Sequence, residues 1–452
     1  MTIPPVGETP QRGVLELRDC IALTVGMVVG IGVFKAPSLV ALRLDDPVLI
    51  LALWAAGAAI MFVGALCYAE LGSAFPDAGG EYHFLFRAYG PGTAFLFGWG
   101  RLAVVQTGAI AAVSFVLGDY AQRLAPLGPH GAALYAAAGV AGLSLLNIRG
   151  TRLSARLQLA LAVLLVAAAA GAAVLGLLSD AAAAPLAAAA PPEGNPWPAM
   201  GFAMIFVMLT YGGWNEAAYF TAELRDVRRT LLRVLALATA IIALLYLALN
   251  AAYLKVLGPA AMRASDAVGA DYMQALMGET GATLLAALIV VAALTTLNAT
   301  IFTGARAIYA LGRDVPLLAP LGRWNARAEG PVNAHLLQAA LALALIGVGA
   351  VARQGFATMV EYTAPVFWLF LMLTGFSVIL LRRQGNVESA WRAPLHPLMP
   401  LLFCATSAYM LHASLEYTGK GALVGAGVLA LGVPVWLFAR HGAARLRAAK
   451  GR

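Results

Sequence analysis

Charge is scarce in this chain. Of 452 residues only 12% are Asp, Glu, Lys or Arg, while 61% are hydrophobic. A soluble multidomain protein needs charged surfaces and linkers on a scale that this composition does not supply. Cysteine is almost absent. Cys20, Cys67 and Cys404 are scattered in or beside apolar runs. That pattern excludes a disulfide framework or a thiolate metal site and reads as three small buried hydrophobes. His83, His130, His335, His396, His412 and His441 are dispersed. They lack the spaced His/Asp/Glu cluster a metal-dependent membrane enzyme would need, so no catalytic residues, no metal site and no bound cofactor are expected. Long polar stretches are missing too. The longest loops, 185–196, 258–278 and 312–331, leave no room for a soluble domain. The first is Ala/Pro-rich and reads as irregular. The second reads equally as a plain loop or as a short helix lying on the outer face.

What is present is apolar length. Twelve runs stand out, at 17–42, 48–73, 93–120, 131–148, 153–178, 197–221, 230–256, 279–308, 333–352, 356–381, 396–416 and 420–440. Each is long enough to cross about 30 Å of hydrocarbon. The predicted fold class is an all-α membrane protein of twelve transmembrane helices. The first run follows Arg12, Glu16, Arg18 and Asp19 and is expected to be a spanning helix rather than a cleaved signal.

The net charge of +8 raises the question of nucleic acid, and its distribution answers it. With twelve alternating spans and an internal N-terminus, 22 of the 30 Lys and Arg residues fall on the inner side and 6 outside. Lys35 and Arg101 lie within spans. The asymmetry predicts cytoplasmic termini by the positive-inside rule. The basic excess is then a topology signal in a plasma-membrane protein, with some attraction to anionic lipid and no nucleic-acid partner.

Two spans are interrupted. Gly30-Ile31-Gly32-Val33-Phe34-Lys35-Ala36-Pro37 lies in the first run, and Thr210-Tyr211-Gly212-Gly213-Trp214-Asn215 in the sixth. Glycine and proline inside a membrane helix free backbone groups that lipid cannot satisfy. Close packing through small residues explains one such break. Two breaks five spans apart are the sequence pointer to a transporter's binding site. Amides at the start of a half-helix suit a carboxylate, and carbonyls at the end of one suit an ammonium or a cation.

These residues resemble a known family. The stretch 30–34 is similar to the Gly-Ser/Ala-Gly-Ile-Phe signature of the amino acid–polyamine–organocation (APC) transporter superfamily. Pro76-Asp77-Ala78-Gly79-Gly80-Glu81-Tyr82, Arg87-Ala88-Tyr89-Gly90-Pro91 and Asn147-Ile148-Arg149-Gly150 resemble the family's motifs at the same places in the chain. So do Tyr211-Gly212-Gly213-Trp214-Asn215 with Glu223-Leu224-Arg225-Asp226, and Asn298 with Gly304-Ala305-Arg306. The order holds over most of residues 15–385, and amino acid permeases and exchangers look closest.

The resemblance implies a leucine-transporter-like 5+5 inverted repeat plus two C-terminal helices. The domain reading is a tail at 1–16, a transport core at 17–381 with repeats at about 17–178 and 197–381, helices eleven and twelve at 396–440, and a tail at 441–452. It implies that the substrate head group meets the backbone at Val29, Gly30, Ile31, Gly32 and Val33 and at Phe206, Tyr211, Gly212 and Gly213, with Tyr211 and Trp214 bordering the pocket.

Lys35 and Glu216, beside the two breaks, are candidates for coupling or selectivity, because a charge in a membrane is costly unless it has a task. They are expected to approach each other or to line opposite ends of the pocket. The structural alternatives are a snorkelling Lys35 and a Glu216 that caps a half-helix. Arg101 reads as a structural ion-pair member. Thr295, Thr296 and Asn298 are candidate oxygens for a sodium site between spans one and eight; threonines also bond harmlessly to helix carbonyls. Glu223 with the basic run 225–233 reads as an inner gate or a topology signal, and Glu361 with Tyr362 as an outer-gate candidate. The chain departs from the family at Leu165, where many proton-coupled members carry a lysine seven residues after a glutamine, here Gln158. Val227 and Leu232 replace usual prolines.

The expected function is secondary active transport of amino acids by alternating access, not enzymatic, with Na⁺ or H⁺ as coupling-ion candidates. The alternatives are antiport of a polyamine or other organic amine, and a nutrient sensor that binds without transport. The side chain recognised and the oligomeric state are not readable from the sequence.

Overall fold

The computed structural model describes residues 15–180, 196–265, 267–352, 355–385, 391–418 and 420–450. The predicted loop at 185–196 lies almost wholly outside the described residues, and so do the side chains of Glu361 and Tyr362. Among the described residues the structure is helical without strands; Leu15–Leu224 and Asn325–Gly330 are single β-type bridges.

The first predicted span folds as α1 (Leu17–Val28), a 3₁₀ turn (Ile31–Phe34) and α2 (Ala36–Ala41). A reciprocal capping box between Glu16 and Asp19 starts α1. Pro37 falls in the first turn of α2, where its missing N–H costs nothing. Next come α3 (Pro47–Ala74), capped by Asp46 on the Val48 amide at 2.7 Å, and the short α4 (Glu81–Tyr89). The third span is α5 (Pro91–Gly100) and α6 (Gln106–Leu124), joined by a π-helical turn at Arg101–Val105. The inserted residue of such a turn re-aims nearby side chains, a device common at functional sites.

α7 (Gly131–Arg149), α8 (Thr151–Leu178) and α9 (Pro196–Thr210) follow, and α9 ends at the second predicted break. Beyond it the apolar run predicts more α-helix, to residue 221. The chain instead forms turns and a 3₁₀ helix at Trp214–Phe220. Gly213, at φ +109°, turns the backbone out of the α conformation, and the tighter coil brings Asn215, Glu216 and Tyr219 toward α4 and the π turn.

α10 (Val227–Val256) leads to the segment at 258–278, which is helical as α11 (Gly258–Ala264) and the start of α12 (Val268–Asp314). α12 bends at Gly278, φ +61°. α13 (Val332–Ala352), α14 (Gly355–Arg383), α15 (Leu398–Thr418) and α16 (Lys420–Lys450) complete the bundle. Among the described residues nine helical stretches are long and apolar enough to cross a membrane. The two broken stretches and the shorter apolar helix Gly425–Ala439 are additional.

Large apolar side chains face outward around the bundle. Leu134, Val163, Leu244, Val348 and Phe438 are exposed, Leu244 to 70%. Isolated exposed leucines are ordinary, but a whole apolar circumference matches a hydrocarbon solvent. Inside, α1 packs against α8, α10 and α12, so the first break lies at the centre of the bundle.

Candidate functional site

The first break places backbone where a helix would place side chains. Val29 leaves helical geometry and Gly30 is extended. Gly30, Ile31 and Gly32 remain half-buried, whereas Val29, Val33 and Phe34 are buried. The amides that open a new helical turn have no acceptor within that turn, so the 3₁₀ turn presents donors at this point. On the α1 side of the break, the Thr296 hydroxyl donates to the Gly26 carbonyl at 3.0 Å.

The second break abuts the first. A Cβ on Gly32 would lie 3.1 Å from the Thr210 side chain, and one on Gly213 would lie 2.9 Å from Met27 Cγ and 3.1 Å from the Met27 carbonyl oxygen. Gly212 and Gly213 are half-buried, like Gly30 and Gly32. Glycine is thus required on both sides of the contact.

Tyr246 of α10 joins the two breaks, a role that no local sequence pattern announces. Its hydroxyl lies 2.8 Å from the Val28 carbonyl and 3.3 Å from the Thr210 carbonyl, the last residues of α1 and α9. One hydroxyl proton serves one carbonyl at a time, so the bond can shift between the two helix ends.

The aromatic side chains point away from the exposed backbone. Tyr211 is buried edge-on against Trp54, ring centroids 5.7 Å apart, with its hydroxyl on the Trp54 carbonyl at 3.1 Å. Trp214 packs on Tyr68 at 5.0 Å and Phe403 at 5.8 Å. Phe206 is half-buried against the core. Tyr211 and Trp214 therefore brace the break from behind in this conformation, filling space between α3, α10 and α15, where the resemblance has them bordering a pocket.

The charged residues pair differently from expectation. Lys35 is exposed, and Glu216 meets Arg101 of the π turn instead. The 3₁₀ coil is the reason: it turns Glu216 toward the third span, so it neither reaches Lys35 nor caps a half-helix. Arg101 Nη2 lies 2.5 Å from Glu216 Oε1 and also contacts Oε2, while its Nη1 lies 3.3 Å from Glu81 Oε2. Glu81 also accepts bonds from the Tyr68 hydroxyl, from Asn215 Nδ2 at 3.1 Å and from the Tyr219 hydroxyl at 2.9 Å. Arg101 lies over the Tyr219 ring at 4.3 Å.

Of the candidate sodium-site residues, Thr296 alone bonds to α1. Thr295 donates to Val291 O within its own helix. Asn298 belongs to an amide network with Asn147, Ser154 and Gln158 on α7 and α8. Gln158 in turn donates to the Ala22 carbonyl at 3.4 Å. Leu165 is buried and apolar.

Carboxylate–arginine pairs lock one end of the bundle. Glu223 meets Arg306 at 2.5 and 2.9 Å, Glu70 meets Arg382 at 2.6 and 2.5 Å, and Asp77 meets Arg313 at 3.1 Å. The backbone of Leu15 bonds to that of Glu223 beside the first pair. His83 lies 4.0 Å from Asp77, yet burial pushes its imidazole below the ordinary value, so Arg313 is the counter-charge of Asp77 at neutral pH.

Comparison with known proteins agrees with this architecture. The amino acid permease family pattern matches residues 15–438. The mouse (Mus musculus) b(0,+)-type amino acid transporter 1 is 25% identical over 402 residues, covering 87% of this chain and 81% of the relative. The human (Homo sapiens) large neutral amino acids transporter small subunit 2 is 26% identical over 445 residues, covering 94% of this chain and 80% of the relative. These are transporters and not enzymes, and the APC resemblance read from the helix breaks is borne out. With its match running through nearly the whole described chain, the protein belongs to the amino acid permease family.

Proposed function

We propose that this protein carries amino acids across the plasma membrane by alternating access, and that it binds the amino acid head group on the backbone of the two breaks. The observation that carries the reading is the half-buried glycine backbone at Gly30, Gly32, Gly212 and Gly213, where two interrupted helices abut at the bundle centre. Amides of a starting turn face a carboxylate well, and the carbonyls at Val28 and Thr210 suit an ammonium. The permease relatives support an amino acid as cargo. In this reading twelve spans form inverted repeats at 17–178 and 197–381, and the basic asymmetry keeps both termini in the cytoplasm. The carboxylate–arginine pairs lie at that inner end and hold it closed in this conformation.

The test is counterflow. Proteoliposomes loaded with unlabelled amino acid should accumulate the labelled one, first with large neutral and then with cationic substrates. Binding without accumulation would return the protein to the sensor class, and no binding of any amino acid would remove the reading. Because only Thr296 reaches α1, replacing Na⁺ with choline is expected to leave the rate within about twofold, since an ion with no preference for either state shifts nothing. A steep Na⁺ dependence would put a sodium site back between α1 and α12.

A further inference from the structure

We propose that Glu216 is a proton-carrying group and that substrate movement through this protein is coupled to its protonation. The proposal rests on the transport reading above for the word coupled; the protonation itself does not. The observation is a mismatch of charge in a closed space. Glu81, Arg101 and Glu216 are buried together, two carboxylates around one guanidinium.

The hydrogen bonds decide which carboxylate is the surplus one. Both oxygens of Glu81 are filled by donors: Tyr68 and Asn215 on Oε1, Tyr219 and Arg101 on Oε2. An acid with four donors around it has no acceptor left for a proton of its own and stays an anion. Glu81 and Arg101 thereby cancel. Glu216 has Arg101 Nη2 across its two oxygens. One oxygen suffices for that donor, and the other is free to hold a proton. With Glu216 ionised the cluster carries one net negative charge away from water, a costly state; with Glu216 protonated it is neutral.

Among the described residues the surroundings supply no other counter-charge. The ionic and phenolic groups acting on the cluster are Arg101 from the π turn, Glu81 from α4, Tyr219 from the 3₁₀ coil and Tyr68 from α3. α14 contributes the apolar Val366, Phe367, Phe370 and Leu371, which with Phe97 and Val105 wall a small cavity against Glu81 and Arg101. Arg101 is only 4% exposed, and its Nε has no hydrogen-bond partner among the described residues. A water in that cavity would satisfy the Nε and give the proton a route.

Position links the proton to movement. Glu216 is three residues past Gly213, the point where the second break touches α1. Any motion that separates the breaks pulls the coil away from α4 and the π turn. Glu216 then meets water, where an isolated carboxyl gives up its proton. The balance is one proton taken up with the cluster closed and one released with it open, with no other reactant.

Two measurements test this. In proteoliposomes, wild-type uptake should be at least about tenfold faster at the acid end of a two-unit pH window than at the alkaline end, as for a single titrating group. A luminal pH dye should record proton entry with substrate. Glu216→Gln, which mimics the neutral acid, should keep counterflow while flattening the profile to within about twofold and abolishing the dye signal. An unchanged profile in Glu216→Gln, or no profile in the wild type, overturns the proposal. Infrared spectroscopy of the purified wild type needs no transport. It should show the C=O stretch of a buried protonated carboxylic acid that Glu216→Gln lacks and Glu81→Gln retains. Absence of that band across the acid range overturns the proposal even if the variants fail to fold. Failure of wild-type counterflow with the band present sinks the transport reading instead.

Discussion

Replacing Glu223 with alanine is expected to leave little stable protein. Glu223 and Arg306 are each 1% exposed at the side chain and meet through two parallel bonds of 2.5 and 2.9 Å. Arg306 also lies 3.3 Å over the Phe302 ring and donates to the Phe302 carbonyl. Its guanidinium cannot lose its proton, so truncating the partner leaves a fixed charge in the core. Removing one member of a buried pair costs about 3–5 kcal/mol, against a total stability of about 5–15 kcal/mol. The measurement is thermal unfolding of the detergent-solubilised protein beside its yield of monodisperse material. Glu223→Ala should melt far below wild type. The double variant Glu223→Ala/Arg306→Met should recover more than half of the loss, because two apolar groups leave no unpaired charge. A single variant melting within about 2 °C of wild type would show that the pair is not holding this end of the bundle.

That pair also marks what the sequence could and could not say. Run length and the two glycine interruptions placed the helices closely, because the bilayer sets one length scale and lipid forbids loose backbone. Both breaks were legible for the same reason. Their consequences were not. Nothing in Trp214–Phe220 distinguishes a 3₁₀ coil from α-helix; Gly213 permits the turn, and the bonds of Asn215 and Tyr219 to Glu81 stabilise it. That coil steers Glu216 to Arg101 and away from Lys35. The π turn at Arg101–Val105 is equally silent, since it adds no special residue type. Arg101 was visible as a charge needing a partner, but its carboxylates lie 20 residues before it and 115 after it. Tyr246 is one tyrosine in an apolar run, and only the fold shows it between two helix ends. Tyr211 and Trp214 were legible as residues of the break, whereas their burial against Trp54 and Tyr68 follows from α3 packing that no local pattern encodes.

Gly213→Ala is expected to abolish most transport while leaving a folded protein. The residue adopts φ +109°, ψ −18°, a left-handed backbone that costs an L-residue about 1–2 kcal/mol. That strain alone would be tolerable. The added Cβ, however, would meet Met27 Cγ at 2.9 Å and the Met27 carbonyl oxygen at 3.1 Å. A methionine side chain can swing aside; a backbone carbonyl one residue before the end of α1 can do so only if the first break moves. The substitution therefore drives the two breaks apart at their point of contact. With about 2–3 kcal/mol lost from the competent arrangement, the rate should fall by about thirtyfold to a hundredfold. Gly385 separates strain from collision: it has φ +72°, and nothing lies within 4 Å of the place its methyl group would take. Gly385→Ala should carry a similar backbone penalty and leave counterflow within about twofold of wild type. Both variants should purify as folded protein, with thermal unfolding as the check. If Gly213→Ala kept more than half the wild-type rate, the breaks would not need to touch for transport, and the substrate site would have to be sought away from their shared backbone.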